Sequence, residues 1–239
     1  MKKILTINKW AITIVIKRLL FGYSKIEHWE DRYAKVKSIE FDANEYVNNK
    51  ARKWRQTLDV VTKFTPSHGS ILETGCGTSA MSIWLNKNGF NNVCIDNNDE
   101  ILKIAKELNE KSQTHVEYNK CELKKLDFQN KAFDTVFSQG TLEHFNDDAI
   151  PEIINEGLRV GKTYIFAIPT ICDVSTCLRG DENLMSYFKW KKIISKSNGK
   201  IIDVRGYFPF HPTIQKINSY FSNKAYWVSP TLVFTIKTK

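Results

Sequence analysis

The sequence has few of the residues that separate domains or interrupt a chain. Its 239 residues include 11 glycines and 6 prolines, and no Pro/Gly-rich stretch links one part to another. It also has no internal repeat and no low-complexity block, which excludes solenoid and fibrous architectures. With 42% hydrophobic and 26% charged residues, the composition is that of a folded globular protein. We therefore expect one large domain, or one domain with a small appendage.

Cysteine pairs at metal-binding spacing are also missing. The five cysteines are Cys76, Cys94, Cys121, Cys172 and Cys177, and none belongs to a C-x-x-C pair. Cys172 and Cys177 are five residues apart, but no second Cys/His pair completes a zinc site. We therefore expect reduced thiols in a cytoplasmic protein and no bound metal.

No apolar run is long enough to cross a membrane. The first 22 residues, MKKILTINKWAITIVIKRLLFG, begin like a secretory signal, with Lys2 and Lys3 before apolar residues. However, Lys9 interrupts the apolar residues, Lys17 and Arg18 end them, and no small-x-small cleavage site follows. Such a segment either makes a peripheral contact with a membrane surface or packs on the protein's own core or a partner chain. Packing is favoured, because the apolar residues spread widely around a helical wheel.

The net charge of +9 is unevenly distributed along the chain. Residues 1–65 contain 14 Lys/Arg and 7 Asp/Glu, residues 66–180 contain 11 and 16, and residues 181–239 contain 10 and 3. An acidic middle thus lies between two basic ends. The basic ends either solubilise exposed helices, which is favoured, or attract an anionic partner such as a phosphorylated substrate, a membrane surface or nucleic acid.

Short apolar runs alternate with helical patterns through the middle of the chain. The runs predict strands over residues 71–74, 92–96, 115–118, 133–138 and 164–168. The intervening patterns predict helices over residues 79–87, 99–111 and 148–160. This alternation is typical of βαβ units, which build a parallel sheet with helices on both faces.

The last third is organised differently. A helical pattern over residues 182–197 precedes two strand-like runs, 200–206 and 231–237, with no clear helix between them. We expect these two runs to pair antiparallel, giving an α/β, doubly wound, seven-stranded and mostly parallel sheet with one antiparallel edge strand. Residues 1–65, which are polar and helix-forming near their end, are expected to form a basic helical cap or lid on a domain of residues 66–239.

The stretch ILETGCGTSA joins the first predicted strand to the next helix. Gly75 and Gly77 allow the backbone to approach a ligand closely, because they lack a Cβ atom. Ser79 and the residue after it begin the helix, whose N–H groups face a polar or anionic group. The loop also fits G-x-G-x-x-A, a dinucleotide fingerprint, so it does not by itself select a cofactor.

The second predicted strand ends at Asp96, 21 residues after Gly75. A carboxylate there can accept hydrogen bonds from both ribose hydroxyl groups of an adenosine. This arrangement is common to NAD sites and other adenosine sites, and an acid before a helix also acts as an N-cap.

Two further stretches distinguish between these cofactors. They are Leu126-Asp127-Phe128 and the run FDTVFSQGTLEHF, which starts at Phe133. Together with ETGCGT and CID, they resemble the class I S-adenosylmethionine-dependent methyltransferases, particularly the small-molecule branch with an L-E-H segment after the fourth strand. His28 to Ala34 also resembles the W-x-x-R-Y segment that often precedes this Rossmann-like domain. The resemblance covers about residues 29–170, with Ser79 where many members have a third glycine.

The resemblance implies a cofactor, S-adenosylmethionine, that leaves as S-adenosylhomocysteine, and it implies roles for individual residues. Glu73 would brace the loop near the methionine amino group, Asp96 would hold the ribose, and Asp127 would accept from the adenine amine. The complete implied cofactor set is Tyr33, Glu73, Gly75, Cys76, Gly77, Ser79, Asp96, Asn97, Asp127, Phe128, Ser138, Gln139 and Gly140.

The reaction needs mainly positioning, because a sulfonium methyl group is already electrophilic. His144 is the candidate general base for an acceptor that must lose a proton, with a role in holding the following loop as the alternative. Tyr33 either closes over the methionine end of the cofactor or packs within a lid helix.

The methyl acceptor is less well defined than the cofactor. No N/D-P-P-Y sequence follows the fourth strand, so amide, adenine and cytosine N-methylation are not indicated. The aromatic-rich stretch 207–227 fits an acceptor wall, a core or a dimer surface, so the expected assembly is a monomer or a homodimer. We expect methyl transfer to a small-molecule, lipid-like or anionic acceptor. The alternatives are an NAD(P)-dependent oxidoreductase, against which the L-D-F and S-Q-G-T-L-E-H segments argue, and a catalytically silent scaffold or nucleic-acid adaptor.

Overall fold

The computed structural model describes residues 41–173, 182–207 and 229–239. Their strands are β1 (Ser70–Thr74), β2 (Asn91–Asp96), β3 (Glu117–Lys120), β4 (Phe133–Gln139), β5 (Gly161–Pro169), β6 (Gly199–Tyr207) and β7 (Thr231–Thr238). Their helices are α1 (Ala43–Lys53), α2 (Arg55–Phe64), α3 (Ala80–Lys87), α4 (Asp99–Lys111), α5 (Ala149–Val160) and α6 (Tyr187–Ser195). A 3-10 turn spans Leu142–His144.

The strands form one seven-stranded sheet in the order β3-β2-β1-β4-β5-β7-β6. Strands β1 to β5 are all parallel, and the strand order reverses between β1 and β4. In such sheets, ligands bind beyond the carboxyl ends of the strands at the point of reversal. The predicted fold class, a doubly wound and mostly parallel sheet, is confirmed.

One strand, β7, runs against the others, and it lies one position inside the edge. It pairs antiparallel with β5 on one side and with β6 on the other. Residues 231–236 are all buried, whereas β6 carries the polar residues Lys200, Asp203 and Arg205. The continuously buried strand therefore takes the interior position, and the more polar strand forms the edge.

Alternating residues of the central strands supply two cores on opposite faces of the sheet. Leu72, Val136 and Phe166 pack with α5 and α6 on one face. Ile71, Phe137 and Ile165 pack with α2 and α3 on the other. A smaller cluster joins α1, α3 and α4 on that second face. This period-two alternation of strand side chains fixes the layers of the fold.

Helices α1 and α2 belong to this layered structure. Asp42 caps α1 by accepting a hydrogen bond from the N–H of Glu45 at 2.9 Å. Trp54 separates the two helices, and α2 buries Leu58, Val60 and Val61 against the sheet. Residues 1–40 lie outside the described residues, so the division at residues 65 and 66 stays a prediction. Within the described ranges, no helix has the length and apolarity to span a bilayer.

Two predicted elements begin later than expected. Strand β3 starts at Glu117, because the N–H groups of His115 and Val116 bond to Asn86 and Asn109 in a turn after α4. Helix α6 starts at Tyr187 after an N-cap at Ser186, because Met185 forms an isolated bridge with Thr170.

Candidate functional site

The loop between β1 and α3 has an unusual run of left-handed backbone. Gly75, Gly77 and Ser79 have φ angles of 64°, 53° and 54°. A Cβ atom added at Gly75 would lie 2.5 Å from Cγ2 of Thr141, in the loop after β4. Glycine at position 75 therefore satisfies both the dihedral angle and the close approach of the two loops.

Asp96 is the last residue of β2, and its carboxylate is hydrogen-bonded to the backbone of the glycine-rich loop. Its Oδ2 accepts a hydrogen bond from the N–H of Gly77 at 3.3 Å, and its Oδ1 accepts from the N–H of Asn98 at 3.2 Å. Burial raises the pKa of this carboxyl group, against the effect of the backbone hydrogen bonds. Asp96 thus supports the loop and also faces the cavity beside it.

Glu73 ends β1 as a buried acid, with 4% of its surface exposed. Its Oε2 accepts a hydrogen bond from the N–H of Ser82 in α3 at 3.2 Å, and the thiol of Cys94 lies 3.7 Å away. Burial raises the pKa of Glu73 to about 7. A cation placed next to this carboxyl group would stabilise its charged form.

Cys76 lines the cavity, but its thiol is not suited to nucleophilic chemistry. A hydrogen bond with the Cys94 thiol and burial raise the pKa of Cys76 well above the usual value. Burial also raises the pKa of Cys94. Because the thiolate is the reactive form, both side chains act as small neutral core groups.

These loops surround a cavity of about 280 Å³ at the carboxyl ends of β1, β2 and β4. Eight lining residues come from the predicted cofactor set, and a ninth, His144, is the predicted base. The eight are Glu73, Gly75, Cys76, Gly77, Asp96, Asn97, Gln139 and Gly140.

Four members of the predicted set do not line this cavity. Ser79 is fully buried behind the loop, and its Oγ lies 2.7 Å from the hydroxyl oxygen of Tyr118. Ser138 points into the core, where its Oγ lies 3.4 Å from the hydroxyl oxygen of Tyr164. Asp127 and Phe128 lie on a segment that is hydrogen-bonded to Arg159 of α5. Tyr33 and the W-x-x-R-Y segment lie outside the described residues.

The Leu126–Phe128 segment is fixed to α5. Arg159 donates to the carbonyl oxygens of Leu126 and Phe128, both at 2.7 Å. Glu156 accepts from the N–H of Leu126 at 2.7 Å and pairs with Arg159. The ring of Phe128 packs edge-on against Phe133, with 5.0 Å between centroids. The segment therefore joins the core, and Asp127 remains exposed.

A second acidic residue beside the end of β2 is Glu122, which the sequence interpretation missed. The N–H of Cys121, just after β3, donates to the carbonyl oxygen of Asp96 at 3.1 Å. Asn97 then donates its amide to Oε1 of Glu122 at 3.4 Å. The position of Glu122, two residues after β3, is the sequence signal that could have identified it. Parallel pairing places the end of β3 beside the end of β2.

The sequence interpretation also missed several apolar and cationic wall residues. Lys50 and Trp54 reach the cavity from α1 and the α1–α2 junction. Ile101 of α4, with Cys121, Leu123 and Phe145, contributes apolar wall. Their helical or loop positions were visible in the sequence, but the packing that brings them to one cavity was not.

Gln139 has a fixed orientation at the end of β4. The hydroxyl group of Thr57 donates to its Oε1 at 2.8 Å, and the same hydroxyl oxygen lies 3.3 Å from that of Tyr207. Tyr207 is buried, which raises the pKa of its phenol, and it packs edge-on against Trp54. This network joins α2, β4 and β6 next to the cavity.

The L-E-H segment forms the 3-10 turn after β4. Leu142 is buried in the core, and His144 faces the cavity. The N–H of His144 donates to the carbonyl oxygen of Thr141 at 3.2 Å. The buried Glu143 accepts, through its carbonyl oxygen, from the N–H of Asn183 at 2.7 Å. Turn geometry therefore places the imidazole near Gln139 and the glycine-rich loop.

The donors and acceptors of the cavity fit S-adenosylmethionine. Asp96 can accept from ribose hydroxyl groups, and Glu73 can face the ammonium group of the methionine portion. The tight Gly75–Thr141 contact leaves the loop backbone, without a side chain, along one wall. Ile101, Leu123 and Phe145 offer apolar surface to a planar base.

Comparisons with known proteins agree with this geometry. Residues 71–163 match the family model described as a methyltransferase domain. A curated relative, the eEF1A lysine and N-terminal methyltransferase of Mus musculus, is 29% identical over 89 residues. That match covers 37% of this chain and 13% of the mouse protein.

Solved structures share the fold at low identity. A chain from a complex containing the Haloferax volcanii Trm112 methyltransferase activator has a TM-score of 0.64 at 12% identity, covering 90% of this chain and 99% of that one. A SAM-dependent methyltransferase from Aquifex aeolicus has a TM-score of 0.59 at 16% identity, covering 84% and 100%. Residues 71–163 thus match a methyltransferase domain, and the solved structures share its fold, in agreement with the resemblance of the ordered motifs to the class I S-adenosylmethionine-dependent methyltransferases.

Proposed function

We propose that this protein transfers a methyl group from S-adenosylmethionine to a small-molecule acceptor with an apolar body and a negative charge, such as a lipid-like metabolite. The observation that carries this proposal is the wall formed by α1 and the α1–α2 junction. There, Lys50 and Trp54 line the same cavity as the cofactor residues. An ammonium group and an indole fit an anionic, partly apolar molecule.

The residues of the cavity have distinct roles in this proposal. S-adenosylmethionine, when bound, supplies an electrophilic methyl group. Glu73 and Asp96 would orient its two ends, and Gln139, held by Thr57, would line the space between cofactor and acceptor. Catalysis then depends mainly on alignment and on exclusion of water.

His144 would take a proton from the acceptor where the reacting atom is a hydroxyl oxygen or a protonated nitrogen. Its imidazole lines the cavity together with Gln139 and Gly140. A base in hydrogen-bond reach of the acceptor accelerates such transfers by about 10²–10⁴-fold. An acceptor that is already deprotonated needs no base, and His144 would then only shape the loop.

The test is a transfer assay with tritiated-methyl S-adenosylmethionine against fractionated host extract. We expect label in an anionic, organic-soluble small-molecule fraction. Label confined to the protein fraction would contradict the proposal and would instead agree with a protein acceptor, as in the name of the mouse relative. No label in any fraction, with salt-dependent retention of RNA, would favour a silent adaptor.

A matched pair of variants tests the role of the cationic wall. Lys50→Gln should raise the KM for the labelled acceptor about tenfold, because it removes the positive charge of a cavity-lining side chain, whose Nζ lies 5.3 Å from the centroid of the Tyr46 ring. Lys53→Gln is the control, since Lys53 lies over the Trp54 ring but does not line the cavity. Equal KM values for the two variants would contradict an anionic acceptor at Lys50.

A further inference from the structure

The first turn of α3 is attached to the sheet by a row of three side chains. Glu73, Cys94 and Tyr118 are direct neighbours on β1, β2 and β3. Their side chains therefore lie on the same face of the sheet. Glu73 accepts from the N–H of Ser82, and Tyr118 bonds to Ser79, so both ends of the row contact the start of α3.

Ser79 is the residue in this turn that most needs support. It is the N-cap of α3, with φ 54° and ψ 17°, in the left-handed region. For a residue with a Cβ atom, this conformation is strained. Its Oγ makes no capping hydrogen bond with the helix, so the left-handed turn is not stabilised in that way.

The hydroxyl group of Tyr118 supplies the missing support. The two hydroxyl oxygens are 2.7 Å apart, and the Ser79 side chain is fully buried. Burial also raises the pKa of Tyr118, which keeps the phenol neutral and able to donate. Separating the two hydroxyl groups would leave the buried hydroxyl group of Ser79 without a partner, which is unfavourable.

We propose that Tyr118 is a positioning residue for cofactor binding. Its hydroxyl group holds Ser79 in the left-handed conformation, and Ser79 in turn holds residues 75–78 in place beside the cavity. Tyr118 does not line that cavity. It acts through Ser79, whose N–H donates to the carbonyl oxygen of Cys76 at 2.7 Å. The Ser79–Tyr118 hydrogen bond is needed because position 79 is not a glycine. A glycine would adopt the same left-handed backbone conformation without such support.

The test compares Tyr118→Phe, Ser79→Gly and the double variant by calorimetric titration with S-adenosylmethionine. Tyr118→Phe should weaken binding about tenfold, because Ser79 is left with a strained backbone and a buried hydroxyl group without a partner. Ser79→Gly should bind nearly as the native protein does. The double variant should also bind nearly normally, since glycine needs no partner.

A second readout does not require the cofactor. Amide hydrogen exchange of residues 76–79 in the ligand-free protein should be faster in Tyr118→Phe and restored in the double variant. Thr135→Val is the matched control, because it also breaks a buried hydrogen bond between two hydroxyl groups. That bond joins the Oγ1 atoms of Thr65 and Thr135 at 2.8 Å, and neither residue belongs to the loop 75–78. This control should lower Tm without changing affinity or loop exchange.

Two outcomes would contradict the positioning role of Tyr118. Native affinity in Tyr118→Phe would overturn it, and so would weak binding that Ser79→Gly does not restore. A native protein that binds no S-adenosylmethionine would contradict the cofactor assignment alone. In that case the exchange of residues 76–79 would still decide the role of Tyr118.

Discussion

The N–H of Gly77 donates a hydrogen bond to Oδ2 of Asp96 at 3.3 Å, joining the glycine-rich loop to the end of β2. The same carboxylate accepts from the N–H of Asn98 through its other oxygen. These two hydrogen bonds fix the orientation of the carboxylate beside the cavity, and the position of the loop depends on them.

Replacing Asp96 should consequently weaken cofactor binding. Asp96→Ala removes the ribose acceptor and the support of Gly77, and we expect at least a tenfold loss of S-adenosylmethionine affinity, about 1.4 kcal/mol. Calorimetric titration measures the change. Asp99→Ala is the control, because Asp99 is exposed and pairs with Lys120 on the surface. Unchanged affinity in Asp96→Ala would show that the ribose assignment is wrong.

The sequence predicted the sheet well because its strands carry local signals. The apolar runs ending at Thr74, Asp96 and Gln139 define three strand ends, and parallel pairing brings such ends together. The glycines and acids at those ends were therefore predicted next to one cavity. The interior position of β7 was not predicted in this way, because the run 231–237 predicted only a strand and its continuous burial is seen in the structure.

The rest of the site depends on contacts between distant residues. Asp127 was predicted at the adenine, but the pairing of Arg159 with the carbonyl oxygens around it holds its segment against α5. The contribution of Lys50 and Trp54 depends on how α1 and α2 pack on the sheet. Neither the spacing nor the composition of the sequence encodes these long-range contacts directly.

The buried Glu73 should make stability depend on pH. Its pKa is raised to about 7 in the folded protein, above the ordinary value of 4.5. The folded state therefore binds more protons between these values, and this group's contribution to the free energy of unfolding is largest below pH 4.5. It is lost as pH rises through 7, with an upper limit of roughly 3 kcal/mol.

Glu73→Gln should remove this part of the pH dependence. Glutamine retains an oxygen that can accept from the N–H of Ser82 but does not titrate. Urea unfolding of the native protein and the variant at pH 5 and pH 8 measures the difference. If the stability difference between pH 5 and pH 8 is the same for both proteins, Glu73 is not the titrating group.

Cofactor binding should also release a proton from Glu73 near pH 6. An ammonium group beside the carboxyl group lowers its pKa, so the group becomes charged on binding. Titrations in two buffers with different ionisation enthalpies count the protons released. We expect a release that disappears in Glu73→Gln. Identical proton release in both proteins would show that Glu73 does not lie beside the ammonium group of the methionine portion.

Gly75→Ala should disturb the loop through two separable effects. The new Cβ atom would lie 2.5 Å from Cγ2 and 2.8 Å from Oγ1 of Thr141, and alanine would also be strained at φ 64°. We expect a loss of about 2 kcal/mol or more in unfolding free energy, together with weak cofactor binding. Adding Thr141→Ala should restore part of the stability, leaving roughly 1–2 kcal/mol of backbone strain. No recovery in the double variant would show that the contact is not the cause.

His144 provides a test that separates chemistry from binding. If the acceptor must lose a proton, His144→Asn should lower kcat by about 10²-fold or more, while S-adenosylmethionine affinity stays within about twofold. His115→Asn is the control, because His115 does not line the cavity. Single-turnover transfer to the labelled acceptor measures the step directly. A variant with native kcat and lower thermal stability would instead assign His144 to the conformation of the Leu142–His144 turn, which packs Leu142 into the core.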